Sequence, residues 1–177
     1  MLGGNGELVG LFMQKKLYAV CALLFPVSYD NNMARELNFS EEDLALVAQL
    51  ELALVHPDLR GHNLQQKLAG ILASRVEKRK VARYLFTTVS PYNYPSVQTV
   101  TSLGMQIAKL SNMYYGWDRY VVYRDFMQPV KLDLTSSISL PNTAIAEQLQ
   151  LLNNGYRGYS AYKDQDGIKI RYAKIIS

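Results

Sequence analysis

The amino-acid sequence predicts an α/β (α+β) fold, and three observations predict it. Between Leu50 and Val76, LELALVHPDLRGHNLQQKLAGILASRV, the hydrophobic period changes from two to 3.6, the signature of a strand that turns into a helix. Around that switch the apolar runs follow one another as hairpin, strand, helix, strand, helix and two strands. A further helix and hairpin then close the chain. With 177 residues, 49% of them hydrophobic and 19% charged, the chain has the size and composition of a globular domain with a real core.

Taken in order, Glu7–Met13 and Leu17–Phe25 are apolar runs separated by Gln14-Lys15-Lys16, a hairpin or one long bent strand ended by Pro26. Met13–Ser28 has the basic start and apolar run of a signal peptide. It is internal, however, and the run from Leu17 to Val27 is too short to span a bilayer, so a buried strand is the better reading. Residues 28–39 are polar and loop-like. Ser40-Glu41-Glu42-Asp43 resembles a capping box with Asp at its fourth position, opening a short helix through Val47.

Leu50, Leu52 and Leu54 alternate with Glu51, Ala53 and Val55 in a strand ending at Pro57. Leu64, Leu68, Ile71, Leu72 and Val76 share one face of the helix that follows, and Asn63 is a preferred N-cap residue just before it. Arg75, Lys78, Arg79 and Lys80 crowd the end of this helix, where cations complement its dipole.

Val81–Val89 is a β-branched and aromatic run expected beside the Leu50–Val55 strand. After the turn Ser90–Pro95, Pro95 suits the first position of a short helix carrying Val97, Val100 and Leu103 or Thr101, which Gly104 stops. Strands around Ile107–Tyr115 and Arg119–Asp125 meet near Gly116-Trp117-Asp118.

Beyond them Val130–Ile138 is extended, and Asn142–Leu152 is helical with Ile145, Leu149 and Leu152 on one face up to Gly155. Tyr156–Tyr162 and Ile168–Ile175 form a hairpin about Lys163–Gly167. This divides the chain into a domain over residues 1–126 and a C-terminal extension over 127–177 packed on it, covering an open edge or one side of a binding site.

The strand–loop–helix junction is suited to an anion. A helix's first turn leaves backbone N–H groups unpaired, and a glycine-bearing loop running into it can hold a diphosphate through the main chain. Gly61 supplies the glycine and Arg60 a cation. Val55-His56-Pro57-Asp58-Leu59-Arg60-Gly61, with Leu64 and Leu68 after it, resembles motif A of the GNAT superfamily of acyl-CoA-dependent N-acetyltransferases. There a strand ending Val-x-Pro runs into Arg/Gln-x-x-Gly-x-Gly/Ala or a close variant. This chain has Asn63 and Gln65 in place of the later glycines. A second segment, SPYNYPSVQTVTSLGM, is similar to a later stretch of the family in Asn93, Ser96, Leu103, Gly104 and Met105.

The resemblance covers about Glu7 to Phe126 and implies a mixed, mostly antiparallel central sheet flanked by helices. The strand and two helices that open the family fold have no counterpart before Glu7. It also implies acetyl-CoA as cofactor, with the backbone from Arg60 through Gly61, His62, Asn63 and Leu64 to Gln65 on the pyrophosphate. Leu54 and Val55 would pair with pantetheine, and Asn93 and Ser96 would border it. The helix-end cations gain a second reading, contact with the phosphorylated end of CoA.

The implied activity is transfer of an acetyl group to a primary amine by direct attack, for which a base is needed near the thioester. Glu51 is the best placed acid, on the cofactor strand and with parity opposite to Leu50, Leu52 and Leu54; the alternative is a solvent-facing strand residue. Asn93, whose bland reading is a turn residue bonding its own backbone, completes the catalytic pair. The family's usual tyrosine, seven residues beyond that Asn, is here Val100. Tyr92, Tyr94, Tyr114, Tyr115 or water would have to protonate the thiolate instead. His56 and His62 read as loop residues.

Composition excludes several rivals. A formal net charge of +4 suits an anionic ligand without implying nucleic acid, and the cations are scattered. One Cys and two His argue against a Cys/His zinc site, and the single Cys21 suits a reducing cytoplasm. No hydrolase elbow, Walker A string or dinucleotide glycine triplet is present. A non-catalytic CoA-binding or regulatory domain of the same fold is the alternative function. Exposed strand edges make a homodimer reasonable, with no membrane partner.

Overall fold

A computed structural model describes residues 5–26 and 29–176. Val27 and Ser28, at the end of the run resembling a signal peptide and the start of the expected loop, lie outside the described residues. Among the described residues there are nine β-strands and four α-helices. The chain forms two compact units, Met1–Thr87 and Thr88–Ser177. The 126/127 division expected from sequence falls inside the second.

In the first unit β1 (Gly6–Met13) and β2 (Lys16–Leu24) form an antiparallel hairpin. Gln14 and Lys15 make its turn with φ of 48° and 65°, the left-handed pairing that lets a two-residue turn follow strand twist. The stretch expected as a loop instead holds two short 3-10 turns, Tyr29–Asn31 and Met33–Leu37, with Met33 and Ala34 buried. Asn32 organises them: its side chain accepts from Ala34 N–H and donates to the Leu44 carbonyl.

Ser40 caps α1 (Glu41–Leu44) by accepting from Asp43 N–H at 3.2 Å, as the capping box predicts. The helix stops at Leu44 because Val47 already belongs to β3 (Val47–Val55). β3 runs antiparallel to β2 and parallel to β4 (Tyr84–Val89), which begins three residues later than the apolar run from Val81.

Between β3 and β4, α2 (Leu64–Arg79) packs on β2, β3 and β1 through Leu68, Ala69, Leu72, Ala73 and Val76. Ile71, expected on this face, is 43% exposed, because the small Ala69 and Ala73 bring the helix against the sheet along a slightly rotated stripe.

In the second unit α3 (Tyr94–Ser102) follows β4, with Val97 and Val100 buried and Gly104 at φ +74° behind it. β5 (Gln106–Met113) and β6 (Trp117–Asp125) form a hairpin whose turn is Tyr114-Tyr115-Gly116 rather than Gly116-Trp117-Asp118. β7 (Leu132–Pro141), α4 (Ile145–Asn153), β8 (Tyr156–Asp164) and β9 (Gly167–Ile175) complete the unit. Its strands run in the order β6-β5-β8-β9-β7, so the extension joins β5 directly, at Ile107↔Gly158.

Helix α4 starts at Ile145, not Asn142, whose buried side chain donates to the Pro91 carbonyl. It buries Gln148 and Leu152, while Leu149 is exposed. Gln148 Oε1 accepts from both Tyr120 and Tyr172 hydroxyls at 2.6 Å, so the helix docks on a polar contact inside the core.

Candidate functional site

The site expected on the strand–loop–helix junction lies in the first unit. Along β3 the pairing with β2 runs Leu23↔Leu50 and then Ala22↔Leu52, leaving Glu51 opposite no residue. Glu51 is therefore the extra residue of a β-bulge, a device that re-aims side chains next to functional sites. The bulge overturns the expected alternation. Leu50 is buried, whereas Leu52 and Leu54 are 44% and 56% exposed, because a one-residue slip moves every later side chain to the other face.

Glu51 itself is exposed, and its Oε1 accepts from Gln49 Nε2 at 2.7 Å. Gln49 is 2% exposed and was not expected in the site. Its signal in the sequence is a lone amide in the apolar string Val47–Leu50.

Parallel pairing of β3 with β4 covers Val47↔Tyr84, Ala48↔Leu85 and Gln49↔Phe86. Next to these pairs, Thr87 Oγ1 donates to the Leu50 carbonyl at 2.8 Å.

After β3 the chain makes a 3-10 turn, Pro57–Leu59, capped by the His56 side chain, which accepts from Asp58 N–H. His56 also packs edge-on against Tyr18, so it is a structural loop residue. Arg60 N–H donates to the Pro57 carbonyl and its side chain is exposed. Gly61 follows at φ +82° with open space where a Cβ would stand.

Asn63, expected as the N-cap, adopts a left-handed conformation at φ 56° and makes no side-chain capping bond. The chain has to turn twice between Gly61 and α2, and a residue spent on that turn cannot adopt the extended backbone a capping side chain needs. No acidic residue stands in the first turn of α2, so the helix's own sequence does not neutralise the positive end of its dipole. Exposed His62 and the half-buried Leu64 and Gln65 complete the stretch. Leu54, Val55 and Arg60 through Gln65 thus form one continuous strand–turn–helix corner.

At the other end of α2, Arg75 and Arg79 both reach Glu7, at 3.2 and 2.6 Å. Two of the four helix-end cations are thereby engaged by a carboxylate.

In the second unit Asn93 is the N-cap of α3, accepting from Ser96 N–H at 3.3 Å. The backbone-bonding reading of Asn93 is thus realised, and it brings Asn93 and Ser96 together. Val100 is 5% exposed and belongs to the core, so that position offers no acid. Of the four candidate tyrosines, Tyr94 accepts from Gln98, Tyr114 lies 3.4 Å from the Thr88 hydroxyl, and Tyr92 and Tyr115 are exposed.

Comparison with solved structures decides the fold. The ribosomal-protein-S18-alanine N-acetyltransferase of Escherichia coli superposes with a TM-score of 0.53 at 20% identity, over 70% of this chain and 71% of that one. The chain has the GNAT acetyltransferase fold.

A GNAT family acetyltransferase of Elizabethkingia anophelis, solved with acetyl-CoA bound, gives 0.52 at 10% identity over 70% of this chain and 78% of its own. A Bacillus subtilis acetyltransferase in complex with CoA gives 0.50 at 12% identity over 70% and 79%. No family model matches the sequence, and neither does any curated protein. The GNAT likeness therefore lives in backbone geometry, while the motif residues that depart from the pattern, Asn63 and Gln65, sit at its most recognisable point.

Proposed function

We propose that this chain is a GNAT-type N-acetyltransferase that moves an acetyl group from acetyl-CoA to a primary amine by direct transfer. The observation that carries the reading is the corner itself. A bulge puts Glu51 just past the stretch of β3 that pairs with β4, and the turn beyond β3 ends in a helix start without a side-chain cap, behind a left-handed Gly61. These residues fit acetyl-CoA: the main chain of β3 at Leu54 and Val55 for pantetheine, and Arg60 through Gln65 for the diphosphate. Asn93 and Ser96 are assigned to the same cofactor on the sequence resemblance.

Bound acetyl-CoA supplies an acyl group activated for attack by an amine. Glu51 takes the proton that the amine must shed, directly or through a water, and is exposed enough for an acceptor to reach, while the departing CoA sulfur would take its proton from water. A non-catalytic CoA-binding domain is the second reading, favoured by the buried Val100 where an acid would be expected.

The test is thermal unfolding with and without acetyl-CoA, followed by release of free thiol in the presence of amines. A ligand bound only by the folded state stabilises it by about 2.7 kcal/mol at a hundredfold excess over Kd. Gly61→Asp, which puts a side chain and a negative charge into the diphosphate seat, is expected to abolish the shift. Gly61→Asn tolerates the same backbone without the charge and controls for folding. A shift without thiol release would favour the binding domain, and no shift in a folded wild type would end both readings.

A further inference from the structure

We propose that Gln49 is a positioning residue for acetyl transfer, holding the Glu51 carboxylate in one orientation through a buried relay that starts in the 3-10 turns after β2. The inference rests on Glu51 being the base. Gln49 sits two residues before Glu51 on β3, at the last register pair with β4. Its Oε1 accepts from Met33 N–H at 2.7 Å, and its Nε2 donates to Glu51 Oε1 at 2.7 Å and to the Asn31 carbonyl at 3.4 Å.

The Met33 N–H can only donate, so it fixes which end of the amide is oxygen. The NH₂ end is then obliged to face Glu51. Met33 is held in turn, because Asn32 beside it is tied to Ala34 N–H and the Leu44 carbonyl.

A buried amide with both ends satisfied is a stiff arm. Burial removes its rotamer freedom, and any other orientation would strand a buried polar group. The bulge lets Glu51 leave the regular side-chain alternation, and Gln49 sets where the freed carboxylate comes to rest. An exposed glutamate on a strand would otherwise sample several rotamers, few of them aimed at an amine. Misplacement of a reacting group by about 1 Å can cost about 100-fold in rate.

The experiment uses the full chain, with acetyl-CoA as donor and an alanine-initiated peptide, free lysine and spermidine as acceptor probes. Gln49→Met, close in volume and unable to donate, is expected to lower kcat by about 10- to 100-fold while leaving KM for acetyl-CoA and the acetyl-CoA thermal shift unchanged. Glu51→Gln is expected to lower kcat by about 100-fold or more. Added to Glu51→Gln, the Gln49 substitution should then change nothing further, because its effect passes through the carboxylate.

An equal fall in both backgrounds, or a lost thermal shift, would make Gln49 a merely structural residue and overturn the proposal. So would wild-type kcat in Gln49→Met. If Gln49→Met does not fold, Gln49→Asn replaces it with the same expectations, since its amide is one methylene too short to span Met33 and Glu51. Wild-type rates in Glu51→Gln would remove the base and the relay with it, while leaving acetyl transfer standing. Thiol release by no probe, with the thermal shift present, would instead overturn the enzyme reading.

Discussion

Cys21 shows how burial sets chemistry at a single side chain. It lies on β2 at 1% exposure, with Val9 and Ala53 as its strand partners, and burial pushes its thiol up to about 11. The thiolate is the reactive species, so this cysteine is expected to resist alkylation at neutral pH in the folded protein and react once the chain is unfolded. Iodoacetamide labelling read by mass spectrometry, with and without denaturant, checks it. Rapid labelling of the native chain would mean that β2 opens readily. Gly61 makes the opposite point: at φ +82° it faces open space, so the cost of a side chain there is backbone strain rather than a clash.

At the scale of one element, the β3 bulge has a consequence that stability measurements can read. Leu50 is buried on the near side of Glu51, whereas Leu52 and Leu54 beyond it are exposed. Leu50→Ala is expected to cost about 2–5 kcal/mol in urea unfolding. The same change at Leu52 or Leu54 should stay within about 0.5 kcal/mol. Equal costs at the three positions would mean that the strand alternates without a bulge.

Helix α4 offers a second case. Gln148 Oε1 serves two tyrosine hydroxyls, and Gln148 Nε2 donates to the Pro141 carbonyl at 2.8 Å. Gln148→Leu strands these groups in the core and should cost about 1–3 kcal/mol or more. Tyr172→Phe leaves the Tyr120 bond in place and should cost about 0.5–1.5 kcal/mol. Denaturant midpoints of the two variants, compared at equal slopes, test the ranking.

For the whole molecule, the buried acids act in one direction. Burial raises the Tyr120 and Tyr172 hydroxyls above their ordinary value of 10.0, and Cys21 rises from 9.0 to about 11. Each group is neutral when folded and ionises more easily once unfolded, so above pH 9 the unfolded state holds fewer protons than the native one. Stability contributed by these groups is complete below pH 9 and is lost as pH rises through the native values. Urea midpoints measured from pH 8 to pH 11 should fall steadily, and Cys21→Ala should flatten the first part of the fall. Among the described residues, no helix is long and apolar enough to cross a membrane.

Local pattern alone determined most of the elements. The switch from period two to period 3.6 around Gly61, the capping box at Ser40 and the C-terminal hairpin are written in neighbouring residues, and the motif from Val55 to Gly61 pointed to the fold that the structural comparisons bear out. Tertiary structure decided where periodicity breaks. The bulge at Glu51 comes from a register between β2 and β3 that no stretch of β3 encodes by itself. Asn63 loses its cap because the turn before α2 needs its backbone. Gln49 joins the site because a segment 16 residues earlier in the chain supplies the N–H that orients its amide. Side-chain periodicity reports which face is buried, whereas bulges, turns and buried amides answer to partners distant in sequence, and those partners exist only once the chain has folded.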